Sequence, residues 1–157
     1  MIILGIDPGV AITGFAIINY VNNRYEPVIW GAIRTPASEP LGMRLETIYA
    51  DMTHILTQYS PTHMAIESLF FNTNTRTAFL VGQARGVILL AASQAGVTMH
   101  DYTPLQVKQA VTGYGNATKQ QVQYMVTHLL GLNATPKPDD VADALAVAIC
   151  GINRGDR

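Results

Sequence analysis

A single cysteine, Cys150, excludes an internal disulfide, and four histidines scattered at His54, His63, His100 and His128 without ligand spacing exclude a zinc framework. Charge is scarce too. Only 13% of residues are charged, where an ordinary globular chain carries about a quarter. Three lysines and seven arginines leave a net charge of −1, so the total shows no basic face of the kind that marks a nucleic-acid binder. The longest apolar stretch, around Gly86 to Ala92, is flanked by Gln83, Arg85 and Ser93 and is too short to span a bilayer. No basic-plus-apolar leader opens the chain, so a soluble, cytoplasmic protein without a membrane partner is expected. Repeats, linkers and low-complexity segments are missing as well.

What is present is apolar mass. With 48% hydrophobic residues over 157 positions, the chain can fill one core and is short for two, so residues 1–157 are read as a single domain. The opening run Ile2-Ile3-Leu4-Gly5-Ile6-Asp7 has the character of a strand buried on both faces. Its closing acid is the anomaly. An ionised Asp at the end of a buried strand is costly unless donors or a cation satisfy it, which marks Asp7 as a candidate site residue.

Residues 13–21 and 25–35 read as two further strands joined by an Asn22-Asn23 hairpin turn, with Pro27 marking an irregularity or an edge position. From Leu41 the apolar period becomes helical and runs to Tyr59, before Ser60-Pro61. Met64-Ala65-Ile66-Glu67 repeats the opening theme of a short apolar strand ending in an acid. If parallel to the first strand, it brings Glu67 to the edge that holds Asp7, where open α/β sheets place their sites. A helix over 75–95, apolar almost all round, is expected to be buried, with Gly82 and Gly86 used for tight helix packing. A fifth strand over 97–102 follows, then a helix started by Thr103-Pro104, another capped by Asn116, and a last helix over 139–152. The fold class is α/β: five strands in a mixed sheet, an antiparallel meander followed by parallel strands, flanked by helices. Trp30 is expected to anchor the third strand, and Cys150 to be an inert packed thiol.

In the last helix Asp140 and Asp143 are three apart and share a face, amid Ala142, Ala144, Ala146 and Ala148. Asp139 is read as a cap. Asp143 lies too far into the helix for capping, and cation binding explains it better. Two strands and one helix thus supply acids to a cluster with oxygen donors only, which suits Mg²⁺ or Mn²⁺. Two such ions can clamp the attacking and leaving oxygens of a phosphoryl displacement, which points to phosphodiester hydrolysis. With four acids committed to cations, the net −1 becomes +3 for the remainder, and the electrostatic objection to a nucleic-acid substrate weakens.

The ordered series IILGIDPG, MAIESLFFNTN, GQARG, QVKQAVTGYGNATK and DDVADALAVAI resembles the RuvC family of Holliday-junction resolvases over nearly the whole chain. GIDPG alone also resembles the phosphate loop of actin-like ATPases, which need a second such domain that 157 residues cannot supply. The resemblance implies a ribonuclease H-like fold and a homodimer in which the apolar helix around Gly82 and Gly86 is a candidate for the dimer region. It further implies paired, symmetric nicks at four-way junction DNA that leave 5′-phosphate and 3′-hydroxyl ends, in homologous recombination and DNA repair. It maps the catalytic and metal-binding carboxylates onto Asp7, Glu67, Asp140 and Asp143, with two Mg²⁺ per site and Mn²⁺ as substitute. Asp140 is preferred to Asp139 because D-x-x-D followed by Ala-Leu is the family spacing. A branch-migration motor complex is a further partner in this reading.

Candidate DNA contacts surround these acids. Lys119 begins a helix, where a cation opposes the helix dipole, so a phosphate contact explains it better than a structural role. The family pattern places a functional lysine there and at Lys108, for which a solvated face is an equal alternative. Phe70 is the candidate for stacking near the strand crossover, Phe71 for packing inward. Asn74 and Arg76, with Asn72 and Thr75, offer phosphate or sugar contacts, although Asn74 suits helix capping equally well. Arg85 either braces the fold or meets DNA. Two other readings stay open: a ribonuclease H-like nuclease acting on RNA or another structure, and a junction-binding module without catalysis.

Overall fold

The structure, a computed structural model, describes residues 1–68 and 74–155. Its elements in chain order are β1 (Ile2–Asp7), β2 (Ile12–Val21), β3 (Arg24–Arg34), α1 (Leu41–Tyr59), β4 (His63–Glu67) and α2 (Thr75–Gln94). They are followed by β5 (Thr98–Tyr102), α3 (Pro104–Thr112), α4 (Lys119–Leu129) and α5 (Asp139–Arg154). The five strands form one sheet in the order β3-β2-β1-β4-β5. β1 pairs antiparallel with β2 and parallel with β4, and β4 pairs parallel with β5. The expected meander followed by parallel strands is the observed topology.

The meander is closed by Asn22 and Asn23 at φ 51° and 59°, the left-handed pair that matches a hairpin turn to strand twist. On the edge strand β3, pairing passes from Ile17–Ile29 to Ile18–Pro27, so Val28 is the bulged residue beside a proline that cannot donate to a ladder. Trp30 is 39% exposed on that strand and does not anchor it; the core on this side is filled from β1 and β2 instead.

Period-two alternation divides β1 between two cores. Leu4 and Ile6 join Met52, Met64, Ile66 and Ile88 under α1 and α2, while Ile3 joins Ala65, Leu145 and Ile149 on the opposite face, under α3, α4 and α5. Gly5 and Asp7 share the Ile3 side. α5 lies directly on this strip, and all its residues from Ala144 through Ile152 are buried, Cys150 among them. Gly5 permits the approach: a Cβ there would sit 2.1 Å from the Ala144 carbonyl oxygen and 2.7 Å from the Ala148 Cβ. Gly14, the β2 partner of Asp7, does the same at the start of α5, where a Cβ would lie 2.0 Å from the Asp140 carbonyl oxygen. These two glycines set the helix down against the end of β1.

α2 departs from the expectation of a helix buried all round. Ala84, Ile88, Ala91 and Ala92 face the core, but Phe79 and Leu90 are 68% and 53% exposed. A Cβ on Gly82 or Gly86 would meet nothing within 4 Å, so neither glycine serves tight packing within the chain. Among the described residues no helix is long and apolar enough to cross a membrane.

Candidate active site

Three elements bring acids to one sheet edge. Ile6 pairs with Ile66 in the parallel β1–β4 ladder, so the residues that follow them, Asp7 and Glu67, emerge side by side on the α5 face. Asp140 and Asp143 arrive from the first turns of α5, whose height over the sheet is set by Gly14. Burial raises the Asp7 carboxyl to about 8, and the charges of Asp143, Glu67 and Asp140 add to the rise. Burial and then Asp143 also raise Glu67, against the pull of Lys119 and Lys108. Asp143 is raised by burial and by Asp140 and Asp139, with Lys119 opposing.

Lys119 is the cation of the cluster. It lies at the first position of α4, where Thr118 and Gln121, not Asn116, form the capping box. Its ammonium is 3.1 Å from Asp143 and 3.6 Å from Asp139. Burial disfavours that charge, but the hydrogen bond and charge of Asp143, with Asp139, outweigh it and raise the lysine further. These two carboxylates offset its misfit with the helix dipole, partners the sequence did not reveal. Asp139 is no cap either. Pro138 takes the N-cap position of α5, and Asp139 accepts from Gln123 and pairs with Lys119 and Lys137, the first of which lowers its carboxyl.

Glu67, Asp143, Lys108 and Lys119 line a cleft of about 240 Å³ whose remaining walls are Pro104, Val107, Val122, Ala146 and Val147. Apolar walls strengthen every charge interaction inside it. Asn74 caps α2 by accepting from the backbone N–H groups of Arg76 and Thr77. Arg76 is exposed in the first turn of α2, outside the cleft lining. Phe70, Phe71 and Asn72 lie outside the described residues. Among the described residues no three acids, histidines or cysteines converge as a ready-made cation cage. The donor chemistry still suits a hard divalent cation, because half-buried carboxylates that raise one another's proton affinity are acceptors in want of positive charge.

Sequence reasoning missed Gly14 and Asp101. A glycine inside the strand pattern of β2 was the available signal for the first, since it marks a close backbone approach. Arg85, left between two roles, braces the fold by bridging Asp101 and the Glu67 backbone.

The raised acids make stability depend on pH. Below Asp7's ordinary value of 3.8 the residue is protonated in folded and unfolded chains alike; between there and about 8 only the folded chain keeps the proton. The stabilisation is thus complete at low pH and is lost as pH rises through about 8, and Glu67 and Asp143 act in the same direction. In chelator, Tm is expected to fall from pH 5 to pH 8 in thermal melts, and to fall less in Asp7→Asn; equal slopes for both proteins would refute the assignment.

Four acids from two strands and a crossing helix thus share one sheet edge beside two lysines. The family model described as crossover junction endodeoxyribonuclease RuvC matches residues 3–151. A protein of Heliobacterium modesticaldum bearing that description is 61% identical over 150 residues, which cover 96% of this chain and 93% of that protein. Its counterpart in Alkaliphilus oremlandii is 57% identical over 156 residues, 99% of this chain and 95% of that one. The structure of Thermus thermophilus RuvC in complex with a Holliday junction substrate superposes with a TM-score of 0.93 at 35% identity, covering 98% of this chain and 94% of that one. The family match over nearly the whole chain, the identity to these relatives and the shared fold agree, and the chain belongs to the RuvC family of crossover junction endodeoxyribonucleases.

Proposed function

We propose that this protein is a divalent-cation-dependent, structure-selective endodeoxyribonuclease that resolves four-way DNA junctions. The observation that carries the reading is the meeting of Asp7, Glu67, Asp140 and Asp143 at one sheet edge in a chain of this family. These four carboxylates would hold Mg²⁺, or Mn²⁺ in its place, two ions per site. Bound there, the ions would activate water and stabilise the leaving oxygen of a phosphodiester.

The chain's own residues do the rest. The buried position of β1 fixes Asp7, and the α5 contact through Gly14 fixes Asp140 and Asp143 relative to it. Lys119 and Lys108 place positive charge on the cleft wall, where a scissile phosphate would otherwise face only acids. In-line attack by water with departure of the 3′ oxygen leaves 5′-phosphate and 3′-hydroxyl ends. Phe70 would stack near the crossover, and Arg76, exposed beside the capping residue Asn74, would meet the backbone of an arm.

Two like-polarity strands must be cut, so the reading requires two sites. The outer stripe of α2, with Phe79, Gly82, Gly86 and Leu90 at helical spacing, is the homodimer face it favours. Phe79→Asp is expected to weaken self-association by roughly 2 kcal/mol or more and to uncouple the paired nicks. Light scattering across a dilution series checks it, and an unchanged dimer would place the interface elsewhere. Homologous recombination and repair are the setting, with a branch-migration motor complex as partner.

The deciding experiment incubates the protein with a four-way junction, a linear duplex and an RNA–DNA hybrid, with and without Mg²⁺. Symmetric nicking of the junction alone, only with Mg²⁺, is expected. Cutting of the hybrid instead would favour a ribonuclease acting on RNA, and binding without cutting a junction-binding module.

A further inference from the structure

Glu67 is the last residue of its strand. Pairing with β1 ends one residue earlier, at Ile6–Ile66, and on the other side Ser68 N–H donates to the Tyr102 carbonyl at 2.7 Å. Glu67 thus has a ladder partner on the β5 side only, so the backbone that aims its carboxylate has lost half of its ladder. Arg85 reaches it from the middle of α2. Its Nη1 donates to the Glu67 carbonyl oxygen at 3.3 Å, and its Nη2 to Asp101 Oδ1 on β5 at 2.5 Å. The arginine side chain is 20% exposed and its partner carboxylate 56%.

We propose that Arg85 is a positioning residue for Glu67, held in place by Asp101, so that α2 and β5 together fix the end of β4. The proposal rests on the nuclease reading above. Only a planar fork can serve a carbonyl on one strand and a carboxylate on the next in fixed geometry; a lysine would supply the charge at one point. Contact with DNA fits less well, because both ends of the fork are occupied and the Asp101 charge repels a phosphate from the same place. The hydrogen bonds run to the backbone of Glu67 and not to its carboxylate, so Arg85 acts on where the acid points.

The test uses full-length protein, Arg85→Lys and Asp101→Asn on four-way junction with Mg²⁺ well below each variant's Tm. At saturating junction, nicking is expected to fall at least ~10-fold in Arg85→Lys, in line with misplaced catalytic groups, and about threefold in Asp101→Asn. The junction concentration at half-saturation should stay within about twofold, a split that general loosening of the fold would not produce. If Arg85→Lys does not fold, Asp101→Asn, altered only at a half-exposed carboxylate, carries the test. Parent-like rates in the folded variants overturn the proposal. So does weaker binding with a salt slope reduced by about one, the mark of a lost phosphate contact. Failure of the parent itself to nick the junction would instead refute the nuclease reading.

Discussion

Asp7→Asn is expected to lose junction nicking by about 10³-fold or more, equivalent to ~4 kcal/mol of transition-state stabilisation, while still binding the junction. The same variant should melt at a higher temperature than its parent in chelator at pH 8. Both effects have one cause. Asp7 is half-buried beside Glu67, Asp140 and Asp143, and its ionisation is suppressed until about pH 8. Asparagine keeps the shape, removes the charge, and so relieves the repulsion that a cation is needed to balance. Mg²⁺ should therefore raise the Tm of the parent more at pH 8 than at pH 5, and that of the variant less at either pH. A purified Asp7→Asn protein that nicks as fast as its parent would remove Asp7 from the site.

Gly14→Ala should be nearly as damaging, although residue 14 carries no chemistry. The added Cβ would lie 2.0 Å from the Asp140 carbonyl oxygen, 2.4 Å from its carbon and 3.1 Å from the Val141 nitrogen. All three are backbone atoms at the start of α5, and no rotamer change can move them aside. Either β2 shifts or α5 lifts, and in both cases Asp140 and Asp143 part from Asp7. We expect a loss of roughly 2–4 kcal/mol from such overpacking, read as a Tm lower by about 5–15 °C. Displacement of catalytic groups by about 1 Å can cost ~10²-fold in rate, so the nicking rate should fall by at least that much. Gly42→Ala is the control. Gly42 is exposed in the first turn of α1 with nothing within 4 Å of its Cβ position, and alanine there should leave activity intact and stability equal or higher. Parent-like Tm and nicking in Gly14→Ala would show that the α5 contact does not set the site.

The order of elements, the mixed sheet and the acids worth suspecting were legible in the residues alone. Those signals are local: apolar periods of 2 and 3.6, turn residues such as Asn22-Asn23, and carboxylates in places where burial makes charge costly. The sequence also pointed to Lys119 and to the apolar character of α2. The folded chain was needed to see that Lys119 pairs with Asp143 and Asp139, that Thr118 and not Asn116 caps α4, and that Phe79 faces outward from α2. It alone showed Gly14 as the seat of α5 and joined Arg85 to Glu67 and Asp101. The division has a physical reason. Periodicity tells which side of an element is buried, but the partner that buries it, and the distance at which it sits, depend on residues tens of positions away that meet only when the sheet and α5 close on each other.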